Sequence, residues 1–361
     1  MTLNPRYSRQ VQLPGFGAEA QQKLQHARVL VVGAGGLGVP VLQYLAGMGV
    51  GTLGFLDSDV VSLNNLHRQV LYAEADVGQP KVAAAAKRLA QLNSGITLLP
   101  LHLQLSPENA LEIIAAYDVV VDATDNFEAR YLINDACVIL KKPFVYGALH
   151  QFEGQVSVFN YQGGPTYRCL FPSPPAAHEI PDCNTAGVLG VVPSIIGSLQ
   201  ALEAVKILTG VGETLSGILL VYDFLRNTQF KMKLTANPAN RNITQLQASY
   251  SGVACAVVHI VSAQDLNQWI QENRELLLLD VREKTEFAQG HLPQALSVPL
   301  SEFEAHLPTL PAQLPVVTIC QKGARSQKAA ALLLEKFPAR EVYSLTGGMD
   351  QWAQHKSHVP A

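Results

Sequence analysis

The stretch from Arg28 to Lys81 opens with the apolar run Val29-Leu30-Val31-Val32 and the glycine loop Gly33-Ala34-Gly35-Gly36-Leu37-Gly38. It passes through Phe55-Leu56-Asp57-Ser58-Asp59 and Asn64-Asn65-Leu66-His67-Arg68-Gln69, and ends on a lone Lys81. A short β-branched strand followed by glycines and a helix start brings backbone N–H groups close to phosphate. An acidic residue after the next strand, here Asp57, can accept from a ribose hydroxyl. The glycines and Asp57 fit a dinucleotide as well as a triphosphate, so an NAD-dependent oxidoreductase is the competing reading. Asn65, Arg68 and Lys81, grouped after the second strand, favour the triphosphate, because separated cations neutralise a polyphosphate.

Working outward, strands at Arg28–Val32 and Thr52–Leu56 alternate with helices at Leu37–Met48 and Lys81–Leu92. A strand at 96–101, a helix at 107–115 and a buried strand at 118–123 follow, the last running into Thr124-Asp125-Asn126. This alternation predicts a Rossmann-like, doubly wound α/β sheet. Strands near 143–147, 154–161, 219–224 and 230–234 predict a mixed continuation. A Pro-rich polar segment, 163–184, interrupts it and carries Cys183. At the strand end, Asp125 is read either as a helix N-cap or as a magnesium ligand.

With 361 residues, the chain suits one large and one small domain. The boundaries expected are 1–235, a linker at 236–256 where periodicity is lost, and 257–361. In the last part, strands and helices alternate again in a small α/β domain without resemblance to the first half. A net charge of −3 with no basic block argues against a nucleic-acid partner. The apolar run 187–208 carries Pro193, Gln200, Glu203 and Lys206, so it reads as a buried helix, or one at a subunit interface, rather than a membrane span. Five widely spaced cysteines and no signal-peptide pattern lead to the expectation of a cytoplasmic protein.

Between a strand and a helix lies Cys320-Gln321-Lys322-Gly323-Ala324-Arg325-Ser326. Backbone N–H groups and the helix N-terminus there favour an anionic thiolate or persulfide. A phosphatase loop, the chemical rival, spaces one more residue between its Cys and Arg; the tighter cradle suits sulfur.

Several motifs together resemble the MoeB/ThiF (HesA) family of ubiquitin-activating-enzyme-like adenylyltransferases. They are Arg6-Tyr7-Ser8-Arg9-Gln10, the glycine loop, Asp57, Asn64 to Gln69, Gly78-Gln79-Pro80-Lys81, Asp122 to Asn126 and Cys183 to Gly190, in the family's order over residues 1–235. The resemblance implies that Gly33, Gly35, Gly36, Gly38, Asp57, Asn64, Asn65, Arg68, Lys81, Asp125 and Asn126 form the site for ATP, with Asp125 on its Mg²⁺. It implies a homodimer in which Arg9, otherwise readable as part of a solvated arm, reaches into the other subunit's site. Asp280-Val281-Arg282, Gly290 to Ala295, the Cys320 loop and Gly347 to Trp352 resemble a single rhodanese domain over 257–355, with Arg325 in its cradle.

Joined, the two resemblances imply adenylylation of the Gly-Gly C-terminus of a ubiquitin-fold sulfur carrier. Sulfur would then pass from a Cys320 persulfide, with Cys183 resolving the acyl disulfide. A cysteine desulfurase or thiosulfate would be the sulfur donor. A non-catalytic scaffold is the third reading, disfavoured because both reactive loops are intact. The family often binds zinc through two Cys-x-x-Cys pairs, whereas this chain has Thr166-Tyr167-Arg168-Cys169 for the first and, near where the second would fall, Asn237-Pro238-Ala239-Asn240-Arg241-Asn242, which has no cysteine. One thiolate cannot close a tetrahedral site, so no zinc is expected. Cys169 then reads as a relic packed in the loop's base, and Cys137 and Cys255 as inert.

Overall fold

The computed structural model describes residues 4–173, 187–250, 258–307, 314–337 and 340–357. These form two compact units, the larger running to Tyr250 and the smaller starting at Val258.

The larger unit is built on eight strands: β1 (Arg28–Val32), β2 (Thr52–Leu56), β3 (Thr97–Leu101), β4 (Val119–Asp122), β5 (Phe144–His150), β6 (Glu153–Phe159), β7 (Ile218–Asp223) and β8 (Thr228–Lys233). Their order across the sheet is β3-β2-β1-β4-β5-β6-β7-β8. The first five are parallel. Helices cover both faces, which is why β1 and β4 are apolar along almost their whole length. Helices Gly38–Met48, Lys81–Leu92 and Val191–Thr209 pack on one face, and Ala110–Ala115 and Phe127–Ile139 on the other. Past β5 the chain turns back through Gln151, at φ 52°, and β6 to β8 pair antiparallel as the expected mixed continuation.

Helix Val191–Thr209 is the one described helix long and apolar enough to cross a membrane, and half of that stretch is buried within the protein. Its inward face is not purely apolar. Leu202 is 48 % exposed, while Gln200 and Glu203 are buried. Gln200 donates to the Asp122 carbonyl at 2.6 Å, and Glu203 accepts from the Leu215 N–H at 2.7 Å. These bonds satisfy polar groups that would otherwise be expensive to bury.

The segment read as a linker, 236–256, is partly integrated into the larger unit. Pro238–Arg241 forms a 3₁₀ turn, and Tyr250 is buried with its hydroxyl donating to Asp135 at 2.8 Å. Periodicity is absent there because side-chain hydrogen bonds, not an amphipathic face, hold the segment down.

The smaller unit has an all-parallel sheet in the order β11-β10-β12-β13-β9. Its strands are β9 (Val258–Val261), β10 (Leu277–Asp280), β11 (Leu296–Ser297), β12 (Val316–Ile319) and β13 (Val342–Leu345). Helix Ala324–Lys336 begins directly after Gly323, which places Arg325 in its first turn.

Candidate active sites of the two units

In the larger unit, the carboxyl ends of adjacent parallel strands β2, β1 and β4 deliver Asp57, Gly33 and the Asp122–Asp125 turn to one edge, where open α/β sheets bind ligands. Gly33 has φ 99°, and a methyl group there would lie 2.6 Å from the Ala123 carbonyl oxygen. A methyl on Gly38 would lie 2.0 Å from the Gly33 oxygen. These two glycines are therefore required by the protein's own packing. Gly35 is different, since a methyl there meets only the Gln69 amide at 3.6 Å. Room beside a loop backbone is what an approaching phosphate needs.

The loop is fixed from below. Asp57 accepts from the Ala34 N–H at 2.8 Å and from the Asp59 N–H at 2.8 Å. Buried Tyr72 donates to the Ala34 carbonyl at 2.8 Å, and burial pushes its phenol well above the ordinary range. Lys81 is only 4 % exposed at the start of its helix, with Nζ 2.8 Å from Asp59 Oδ2 and 3.9 Å from Asp57 Oδ2. Arg68 donates to Asn65 Oδ1 at 2.7 Å and to the Asn64 carbonyl at 3.2 Å. A methyl on Gly36 would come 3.5 Å from Arg68 Cγ and 3.2 Å from Pro193 Cβ, so Gly36, Arg68 and the first turn of helix Val191–Thr209 converge.

Asn126, not Asp125, caps helix Phe127–Ile139, accepting from the Ala129 N–H at 2.8 Å. The cap thus leaves the exposed Asp125 carboxylate available to a cation, which settles the N-cap alternative against Asp125. Arg9 is not brought to the glycine loop of its own chain. Its neighbour Gln10 donates to the Met48 carbonyl at 2.9 Å, at the far end of the helix that the loop begins. Eleven residues of helix separate the two ends, about 16 Å.

Sequence reasoning passed over Tyr72, Asp59 and Gln69. Gln69 is buried with its Oε1 lacking a hydrogen-bond partner, beside Gly35. An orphaned buried amide next to open loop backbone fits a site completed by a bound nucleotide. Its adjacency to Arg68 in the motif was the available signal.

In the smaller unit, Cys320 follows β12 and is 1 % exposed. Its Sγ accepts from the Gly323 N–H at 3.0 Å and lies 3.4 Å from Ser326 Oγ. Burial pushes the thiol up, but the hydrogen bond with the Ser326 hydroxyl and those from the N–H groups of Ser326, Gly323 and Lys322 outweigh it and bring it below its ordinary value. Gly323, at φ 104°, makes the turn that aims these groups at sulfur. By contrast, burial drives the Cys137 thiol far up, in keeping with an inert residue.

Arg325 is held by Glu286 through paired bonds of 2.6 and 2.7 Å. That pairing draws Glu286 down to about 2. Arg282 is buried, donating to Asp280 at 2.7 Å, to the Gly290 carbonyl at 2.7 Å and to Gln321 Oε1 at 3.0 Å. Glu286 and Arg282 escaped the sequence reading as site residues because their links to the cradle, Glu286 to Arg325 and Arg282 to Gln321, run 39 residues along the chain. Cys183 and Cys255 lie outside the described residues.

The ThiF family model matches residues 7–245, and the rhodanese-like domain model matches 262–355. The adenylyltransferase and sulfurtransferase MOCS3 of Xenopus laevis is 41 % identical over 97 % of this chain and 86 % of its own length. The probable adenylyltransferase/sulfurtransferase MoeZ of Mycobacterium tuberculosis is 39 % identical over 97 % and 92 %. Among solved structures, E. coli MccB with ATP aligns over 65 % of this chain and 73 % of that one, with 25 % identity and a TM-score of 0.58. With a ThiF unit built around the glycine loop and a rhodanese unit built around Cys320, the chain belongs to the ThiF family, as an adenylyltransferase joined to a rhodanese-like sulfurtransferase.

Proposed function

We propose that the enzyme adenylylates the C-terminal Gly-Gly carboxylate of a ubiquitin-fold sulfur carrier and then replaces one carboxylate oxygen with sulfur. The observation that carries this reading is a thiol ringed by N–H groups at Cys320, on a chain whose other unit gathers Lys81 and Arg68 beside an open glycine loop. A reason to activate a carboxylate and a means of delivering sulfur occur together.

ATP would lie along the glycine loop, with its ribose toward Asp57 and its phosphates toward Asn64, Asn65, Arg68 and Lys81. Asp125, with Asn126 beside it, would hold Mg²⁺, which supplies charge neutralisation at the phosphates. The carrier carboxylate attacks the α-phosphorus, and the bond to pyrophosphate breaks. Arg68 and Lys81, with Arg9 from a second copy of the chain, stabilise the charge that develops. A desulfurase persulfide or thiosulfate loads sulfur onto Cys320. The terminal sulfur of that persulfide attacks the acyl-adenylate carbon, and AMP leaves with its oxygen. The resulting acyl disulfide is opened by Cys183 attacking the Cys320 sulfur, which releases the thiocarboxylate and leaves a disulfide for a dithiol to reduce. Arg325 keeps the cradle's shape through Glu286. The proposed setting is a homodimer in the cytoplasm.

Carrier-dependent exchange of pyrophosphate into ATP, together with the Cys320→Ser variant, tests the division of labour. Cys320→Ser should lose thiosulfate:cyanide sulfurtransferase activity and retain the exchange. Loss of both, or exchange without any need for a carrier, would overturn the reading.

A further inference from the structure

The stretches Thr166-Tyr167-Arg168-Cys169 and Asn237-Pro238-Ala239-Asn240 stand where the family resemblance places metal-binding cysteine pairs. Folding brings them together. Cys169 Sγ accepts from the Thr166 N–H at 3.4 Å, from the Asn237 N–H at 3.3 Å and from Asn240 Nδ2 at 3.5 Å, and lies 3.4 Å from Thr166 Oγ1. These partners do not fit zinc. Three are donors whose protons point at the sulfur, where a cation would have to approach, and only one ligand is a thiolate. No group of three His, Cys, Asp or Glu side chains suited to a metal occurs among the described residues.

We propose that Thr166, Cys169, Asn237 and Asn240 form a metal-free clamp, in which a hydrogen-bonded cysteine sulfur does the tying that a metal does in relatives with four cysteines. The clamp pins the start of 237–250 to the base of the loop segment that precedes it. The chemistry is self-consistent. Burial raises the Cys169 thiol, but the hydrogen bonds from Thr166, Asn237 and Asn240 together bring it below its ordinary value, and an anionic sulfur is a far better acceptor than a neutral thiol. Neighbouring ties extend the seam. Arg168 pairs with Asp135 through two bonds of 2.7 Å, the same carboxylate accepts from Tyr250, and Arg241 reaches the carbonyls of Gly163 and Gly164. The segment therefore stays attached when the clamp is weakened, so local opening, not global unfolding, is the informative readout.

Metal analysis and amide hydrogen exchange on the full-length protein test the proposal. Wild-type protein should carry no stoichiometric zinc and should melt at the same temperature with or without a chelator. In Cys169→Ala the Asn237 amide, which donates to the sulfur, should exchange about ten- to a hundredfold faster. Asn240→Ala, which removes a single donor, should show a smaller acceleration at the same amide and serves if Cys169→Ala does not fold. The triple variant Thr166→Cys, Asn237→Cys and Asn240→Cys should gain about one zinc per chain, since four thiolates would then meet. Stoichiometric zinc in the wild-type protein, or unchanged exchange at Asn237 in the variants, would overturn the clamp.

Discussion

Two substitutions in one loop separate what the fold needs from what the nucleotide needs. Gly33→Ala puts a side chain at φ 99° and a methyl 2.6 Å from the Ala123 oxygen. The dihedral penalty and the backbone contact together destabilise the large unit by about 2–5 kcal/mol. For a unit of this size, its melting transition should fall by roughly 5–20 °C. Gly35→Ala should behave otherwise. Its methyl meets only the Gln69 amide at 3.6 Å, and no left-handed dihedral is involved, so melting should move by no more than about 2 °C. The same methyl would sit where phosphate must approach, and displacing the phosphates by the width of a methyl should reduce ATP–pyrophosphate exchange by about a hundredfold or more. Calorimetry and the exchange assay on both variants check this. A Gly35→Ala enzyme with normal stability and normal exchange would refute the idea that the loop cradles phosphate.

Glu286, drawn to about 2 by Arg325 from an ordinary value of 4.5, titrates lower in the folded than in the unfolded chain. Its contribution to stability is thus present above pH 4.5 and is lost as pH falls toward 2. Because both side chains are about one-third exposed, solvent screening keeps the effect modest. Glu286→Gln should flatten that acid limb in melts of the smaller unit between pH 5 and 3, and an unchanged limb would show the pair to be inconsequential. Arg9→Ala and Arg68→Ala should each abolish adenylylation alone. In the proposed homodimer, mixing the two variants should restore roughly a quarter of wild-type activity, because half the dimers then contain one intact site of two. No recovery would show that Arg9 does not serve the other subunit's site.

Much of this architecture was legible because its signals are local. The β-branched run at Val29–Val32, the glycines after it and the helix start at Lys81 each reflect a short-range rule, and β2 and helix Lys81–Leu92 fall where patterning puts them. Features set by distant partners were not legible. The apolar run 187–208 reads as a buried helix, yet which of its residues face inward depends on distant partners: Leu202 is exposed, while Gln200 and Glu203 face the core because Asp122 and Leu215 supply matching backbone groups. Asp125 and Asn126 both suit an N-cap by residue type, and only the geometry of the helix start gives that role to Asn126. The segment 237–250 lacks periodicity, so its attachment through Cys169, Asp135 and Tyr250 could not be read from pattern. At the sites, residue types marked Lys81, Arg68 and Cys320, whereas Tyr72, Gln69 and Glu286 emerged from the company they keep.

The most direct test of the central claim is mass spectrometry of a Gly-Gly-tailed ubiquitin-fold carrier incubated with enzyme, ATP and a sulfur donor. The carrier should gain the mass of one oxygen replaced by sulfur at its C-terminus, and it should stop at the acyl-adenylate when Cys320→Ser replaces the wild-type enzyme. A carrier that is never adenylylated, or that gains sulfur equally well with Cys320→Ser, would contradict the account.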